Sequence, residues 1–186
     1  MKTLRMFAVF ALVAMSLFAV TAEAQEISVL FGTEMADSKQ VKMFDAFDIS
    51  IVISNIDDTI GAVEYALNLP ANVVITASNY WNGTNLVLDG LDGTAIALGE
   101  CVVMVDSPGI DQEITVASFE AIAVNTFAST AVTITEYTGT PANPATAPRY
   151  ANCSDQLVNL SPVNGTLEGV TVPTTATSFS KVKSLF

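Results

Sequence analysis

The chain has 186 residues, 51% hydrophobic and only 14% charged, and nineteen acidic residues against seven basic ones give a formal charge of −12. Arg149 is the only basic residue between Lys42 and Lys181, so long-range repulsion opposes nucleic acid and anionic lipid head groups as partners. The chain has no histidine, and its two cysteines lie far apart, which argues against a zinc site and against a Cys–His nucleophile pair.

Residues 1–24 read as a secretory signal peptide. Lys2 and Arg5 give a basic start, residues 6–20 are apolar or small, and Ala22 and Ala24 stand where a signal peptidase reads small side chains. A retained anchor is the alternative, but the run falls short of the roughly 20 apolar residues that span a bilayer. The mature chain then begins near Gln25 outside the cytoplasm, as a secreted, cell-surface or periplasmic protein with no remaining membrane span. Losing residues 1–24 removes two basic residues and one acidic one and moves the formal charge to −13. About 160 residues suit a single domain, 25–172.

Within that domain the dominant signal is strand. Residues 27–31 form a first strand. Phe47, Ile49, Ile51 and Ile53 alternate with Asp48, Ser50, Val52 and Ser54, the period-two pattern of a strand with one apolar face. Residues 55–59 carry turn chemistry. Val63, Tyr65, Leu67 and Leu69 alternate again until Pro70, which cannot donate to a ladder. Residues 73–76 and 85–88 predict short strands, Asp89-Gly90 and Asp92-Gly93 predict turns, and residues 94–105 predict a long apolar strand with a bulge at Gly99. Residues 114–124 tolerate a helix at their alanines, but β-branched and aromatic content favours a strand. Residues 130–137 alternate cleanly, residues 138–148 read as a Pro- and Thr-rich loop, and residues 157–160 and 165–172 supply the last strands. About nine or ten short strands with turn signals every 8–12 residues predict an all-β, antiparallel β-sandwich. Residues 173–186 follow as a Thr/Pro linker and a short amphipathic tail, with Phe179, Val182, Leu185 and Phe186 on one side and Lys181 and Lys183 on the other. Nine residues do not hold a helix alone in water, so the tail docks on the domain, meets a partner or stays disordered.

Cys101 and Cys153, the only cysteines, predict one disulfide in an exported protein. It would close a loop of about 50 residues, worth about 4 kcal/mol on the chain-entropy account.

Residues 47–75 carry an alternating strand that ends in Ser54-Asn55, a short acidic turn at Asp57-Asp58, a glycine-led second strand from Gly61, and Pro70 before an apolar strand. This run resembles the opening of cohesin-type modules, and residues 114–123 resemble a later cohesin strand that brings an apolar-Phe-acidic pattern into the core. The resemblance spans about a third of the mature chain, with motifs that many sandwiches share. It implies a nine-stranded jelly-roll sandwich that works by binding, as cohesins and related carbohydrate-binding modules do. The cysteine pair and the long 138–148 loop depart from the cohesin pattern, and no dockerin-contacting residue carries over by motif.

Several groups are candidates for chemistry. Tyr80, Trp81 and Asn82, in a loop with Asn79 and Asn85 nearby, could stack on and hydrogen-bond a sugar; alternatively Trp81 plugs one end of the sandwich. Asp89 and Asp92 sit three apart in a glycine-rich loop suited to a structural Ca²⁺, although turn formation alone accounts for them. Glu64, Glu100 and Glu120 lie on predicted strands, and two of them facing one cleft would serve glycoside hydrolysis. Asn82, Asn152 and Asn164 head glycan-acceptor patterns. No residue is assigned a catalytic role and no cofactor beyond that Ca²⁺ is expected. The favoured reading is a secreted non-catalytic module binding a polysaccharide or an extracellular protein. A structural subunit of the cell surface or of a filament, with homo-assembly, is the first alternative, and a small extracellular glycosidase the second.

Overall fold

A computed structural model describes residues 24–56, 59–80, 86–90, 93–103, 113–137 and 145–170, with backbone alone at 86–90 and 93–103. Among the described residues the chain forms thirteen strands: Glu26–Phe31 (β1), Ser38–Val41 (β2), Ala46–Ser54 (β3), Thr59–Asn68 (β4), Val73–Tyr80 (β5), Leu86–Gly90 (β6), Gly93–Val103 (β7), Ile114–Ala123 (β8), Thr130–Thr135 (β9), Arg149–Ala151 (β10), Leu157–Asn159 (β11), Ser161–Val163 (β12) and Gly165–Gly169 (β13). One sheet runs β12-β1-β3-β8-β5; the other runs β11-β10-β4-β9-β13-β2, with β7 on β4 and β6 on β7. The expected signal peptide and tail, the Asp57-Asp58 turn, Trp81, Asn82, Asp92 and residues 138–144 of the expected loop lie outside the described residues.

The core lies between the sheets and follows from the alternation. Ile27, Val29, Ile49, Ile51 and Ile53 of the five-stranded sheet are fully buried, as are Ile60, Val63, Tyr65, Val132 and Leu167 of the other. Phe31 and Phe47 meet edge-on with centroids 6.4 Å apart, an arrangement that adds to area burial through the ring quadrupoles. Residues 114–123 resolve as strand because Phe119, Ala121 and Ala123 all point inward. The long alternation from Thr59 serves three partners: β7 pairs with residues 59–65, β10 with residues 62–64 and β9 with residues 66–68.

Two features correct the expectation of nine antiparallel strands. First, β1 and β12 pair in parallel, as do β2 and β13. Alternation encodes which face is apolar and not the direction of a neighbour, so sequence periodicity could not supply this. Both pairs switch sheets together, from β1 to β2 and from β12 to β13. At the second switch Asn164 accepts the Ile134 N–H on its side-chain oxygen at 3.0 Å. Second, the additional strands are short. β12 contains Pro162 and stands at the sheet edge, where a missing N–H is tolerated.

Glycine is required where the last strand enters. A Cβ on Gly165 would lie 2.6 Å from the Phe31 ring, and one on Gly169 would drive into the Phe127 carbonyl oxygen. The turn at residues 42–45 violates the usual rule instead. Asp45 N–H donates to the Lys42 carbonyl at 3.0 Å, closing the turn, and its third residue, Phe44, has φ +69°. Type II turns reserve that position for glycine.

Gly169→Ala should lower stability by roughly 1–3 kcal/mol through overpacking, read as a fall in urea midpoint at constant slope. Phe44→Gly removes a strained Cβ against the entropy of glycine, so the turn itself should lose nothing. A fall in the urea midpoint would therefore report what the Phe44 ring packs against.

Candidate binding faces

Each sheet has an outer face, and register assigns its residues. On the five-stranded sheet Ala46, Ile122 and Val74 stand side by side, then Asp48, Glu120 and Ala77, then Ser50, Ser118 and Asn79. The face grades from an apolar row through an acidic row to a hydroxyl and amide row. The loop after β1, with Met35 at its end, overhangs the last two rows and makes a groove of about 390 Å³. Ser50 is only 9% exposed and lines that groove. Asp48 and Glu120 are directly opposed, and like charges at opposed positions destabilise a ladder.

A bulge sets the groove's far wall. Between Ile75 and Ala77 the register of β5 against β8 shifts by one, and Thr76 donates its hydroxyl hydrogen to the Glu120 carbonyl at 3.2 Å. The extra residue turns Ala77 and Asn79 outward and Tyr80 inward, where continued alternation would have done the reverse. Tyr80 therefore packs edge-on against Phe119, with centroids 5.9 Å apart and rings at 87°. Of the expected sugar-binding group the structure thus positions Tyr80 against the core side of the sheet. Asp89 lies on β6 opposite Thr94 in the β6–β7 hairpin, with its side chain outside the described set.

The outer face of the other sheet carries an ion pair. Glu64 is opposite Arg149, and Nε donates to a Glu64 carboxylate oxygen at 2.7 Å. The side chains are 8% exposed for Arg149 and 24% for Glu64. The neighbours Val63, Tyr65 and Tyr150 point into the core, so this pair sits outside it. Glu64 and Glu120 thus stand on opposite outer faces with the core between them, and the two cannot share a glycosidase cleft. The side chain of Glu100, on β7, lies outside the described set.

Beside this pair, residues 152–156 form a tight turn. The Asn152 side-chain oxygen accepts the N–H groups of Ser154 and Gln156 at 3.0 and 2.9 Å, and its amide donates to Gln156 at 3.0 Å. Asn152 is 4% exposed, so in the folded chain it is no glycan acceptor. The Cys153 N–H donates to the Thr59 hydroxyl at 3.0 Å. Among the described residues no three Asp, Glu or Cys side chains converge as metal ligands, and no helix is long and apolar enough to cross a membrane.

The opposed carboxylates and the Arg149–Glu64 pair were both missed in the sequence. Alternation marks Asp48, Glu64 and Glu120 as outward, but which residues meet depends on long-range register. Arg149 had a weak signal as the only cation in a long acidic stretch.

No protein-family model and no curated protein matches the sequence. Solved structures do match in fold. The cohesin module of a family 33 glycoside hydrolase from Clostridium perfringens is 10% identical over 78% of this chain and 96% of that one, with a TM-score of 0.53. A cohesin of the type I OlpA cohesin–dockerin complex from Clostridium thermocellum is 8% identical over 78% and 99%, at 0.52. The sixth cohesin of scaffoldin B from Acetivibrio cellulolyticus, in complex with a Cel5 dockerin, is 9% identical over 79% and 99%, at 0.51. The chain has a cohesin-like β-sandwich fold.

Removing Glu64 takes a charge-assisted hydrogen bond of 2.7 Å from the largely buried Arg149 guanidinium. Glu64→Leu should therefore cost about 2–4 kcal/mol, and Glu64→Leu combined with Arg149→Met should recover most of it. A urea double-mutant cycle checks this; equal, additive losses would mean that the pair is not coupled.

Proposed function

We propose that this chain is a secreted, non-catalytic binding module that recognises an extracellular protein through an outer sheet face. The observation that carries the reading is the groove on the five-stranded sheet, where Asp48 and Glu120 stand side by side next to the nearly buried Ser50. A lysine or arginine from a partner relieves the repulsion between the carboxylates, while Ser118 and Asn79 offer hydrogen bonds at the rim. The fold supports a protein partner: two of the similar cohesins are in complex with dockerins. The separation of Glu64 and Glu120 onto opposite faces supports a role without catalysis.

In this reading Cys101 is the disulfide partner of Cys153, since the chain contains no other cysteine. The backbone favours it. Cys101 precedes Val102, which pairs with Ile60, and Cys153 is held to Thr59, so both flank the start of β4. The bridge would tie β7 to the turn after β10 across that strand.

The test uses the full-length protein, immobilised and challenged with the exported proteins of its source, followed by affinity measurement with each captured protein after purification. Asp48→Lys with Glu120→Lys should weaken binding at least tenfold, while Trp81→Ala and removal of calcium leave it unchanged. Unaltered affinity in the charge-reversed protein would overturn the groove as the site. Retention on a polysaccharide that Trp81→Ala abolishes would favour the sugar reading at Tyr80, Trp81 and Asn82, and a calcium-dependent thermal midpoint would favour an ion at Asp89 and Asp92.

A further inference from the structure

We infer that residues 178–186 of this chain dock on the apolar end of the five-stranded sheet, over Phe44. The surface there is unusual for an acidic domain. Phe44 is 65% exposed, Met43 44%, Val74 46% and Val124 42%. They belong to one place: the Phe44 N–H donates to the Ala123 carbonyl at 2.7 Å, the Val124 N–H to the Asn72 carbonyl at 2.8 Å, and Val74 pairs with Ile122. The aromatic ring is presented by a turn whose φ of +69° at Phe44 would suit glycine. A bulky side chain held in that region at the surface marks a position kept for something other than the turn.

The position at which the chain leaves the domain identifies the occupant. β13 runs parallel to β2 with Gly169 beside Val41, and the Val170 N–H donates to the Val41 carbonyl at 3.0 Å. Val170, the last described residue, therefore stands beside Lys42, two residues or at most about 7 Å of chain from Phe44. Gly169 lies against Phe127, in the loop that follows Val124. The exit thus opens between the two segments that carry the apolar patch. Eight residues separate Val170 from Phe179, a reach of up to about 30 Å. The following stretch supplies what the patch lacks, with Phe179, Val182, Leu185 and Phe186 for the apolar surface. Lys181 and Lys183 complement Asp45 and, one row inward, Asp48. A segment already tethered at the rim docks at high effective concentration, which no free partner matches. The inference holds whichever partner the domain takes.

The test places the photo-crosslinking residue benzoylphenylalanine at position 44 of the full chain and maps the products by mass spectrometry, alongside hydrogen exchange of the unmodified chain and of Phe44→Gly. The expected products are crosslinks within monomers from position 44 to residues 178–186. Amides of residues 179–186 should be protected, and that protection should fall at least tenfold in Phe44→Gly while β3 and β8 stay as protected as before. Crosslinks confined to dimers would assign the patch to a second copy. That result, crosslinks to other segments only, or unprotected exchange across 179–186 would each overturn the proposal.

Discussion

Ile49 and Ile51 on β3, and Val63 and Tyr65 on β4, are sealed between the two sheets, and the alternation that puts them there forces Asp48, Ser50 and Glu64 outward. Each such side chain contributes about 1.5–3 kcal/mol by leaving water. A one-residue slip of either strand would bring its polar set into the core. Register is therefore fixed by the buried rows, and the outer faces inherit their pattern from a constraint that acts on the opposite side of the same strands. The groove, the opposed carboxylates and the Arg149–Glu64 pair are all consequences of what the interior demands.

Departures from alternation occur where the surface is shaped. The extra residue at Thr76 sends Tyr80 inward onto Phe119 and opens the groove toward Asn79. The turn at residues 42–45 spends backbone strain to hold an aromatic ring in water. The bulge seats Tyr80 against the core, whereas the turn adds nothing to it. An exposed phenylalanine beside the point where the last described strand ends differs in kind from the isolated apolar side chains that any protein surface carries.

Most of the architecture was legible because β3, β4, β8 and β9 alternate over long runs with hydrophobic inward positions, and the cohesin-like pattern at residues 47–75 pointed to the fold that the solved cohesins share. The short strands were not legible. β10 and β12 are three residues each, too short for alternation to show, and β12 holds Pro162, which an edge position permits. Parallel pairing at both ends was invisible to a rule about faces. Tyr80 read as an outward aromatic because a bulge leaves no mark in composition. Asp48 and Glu120 lie far apart in sequence, so nothing local announces that they meet. The turn at residues 42–45 carries no turn signature, since its third residue is phenylalanine where glycine or asparagine is usual.

Pairing at both ends of the chain also governs the order in which the molecule can come together. Glu26 lies beside Ser161 and Ser38 beside Thr166, so the earliest strands wait for the latest ones. A polypeptide threaded amino-end first through a ribosomal tunnel or a translocation channel holds β1 with one flank vacant until nearly all of it has emerged. Contacts this distant in sequence make closure slow. The sandwich therefore closes late, once its first and its last strands are both free to pair.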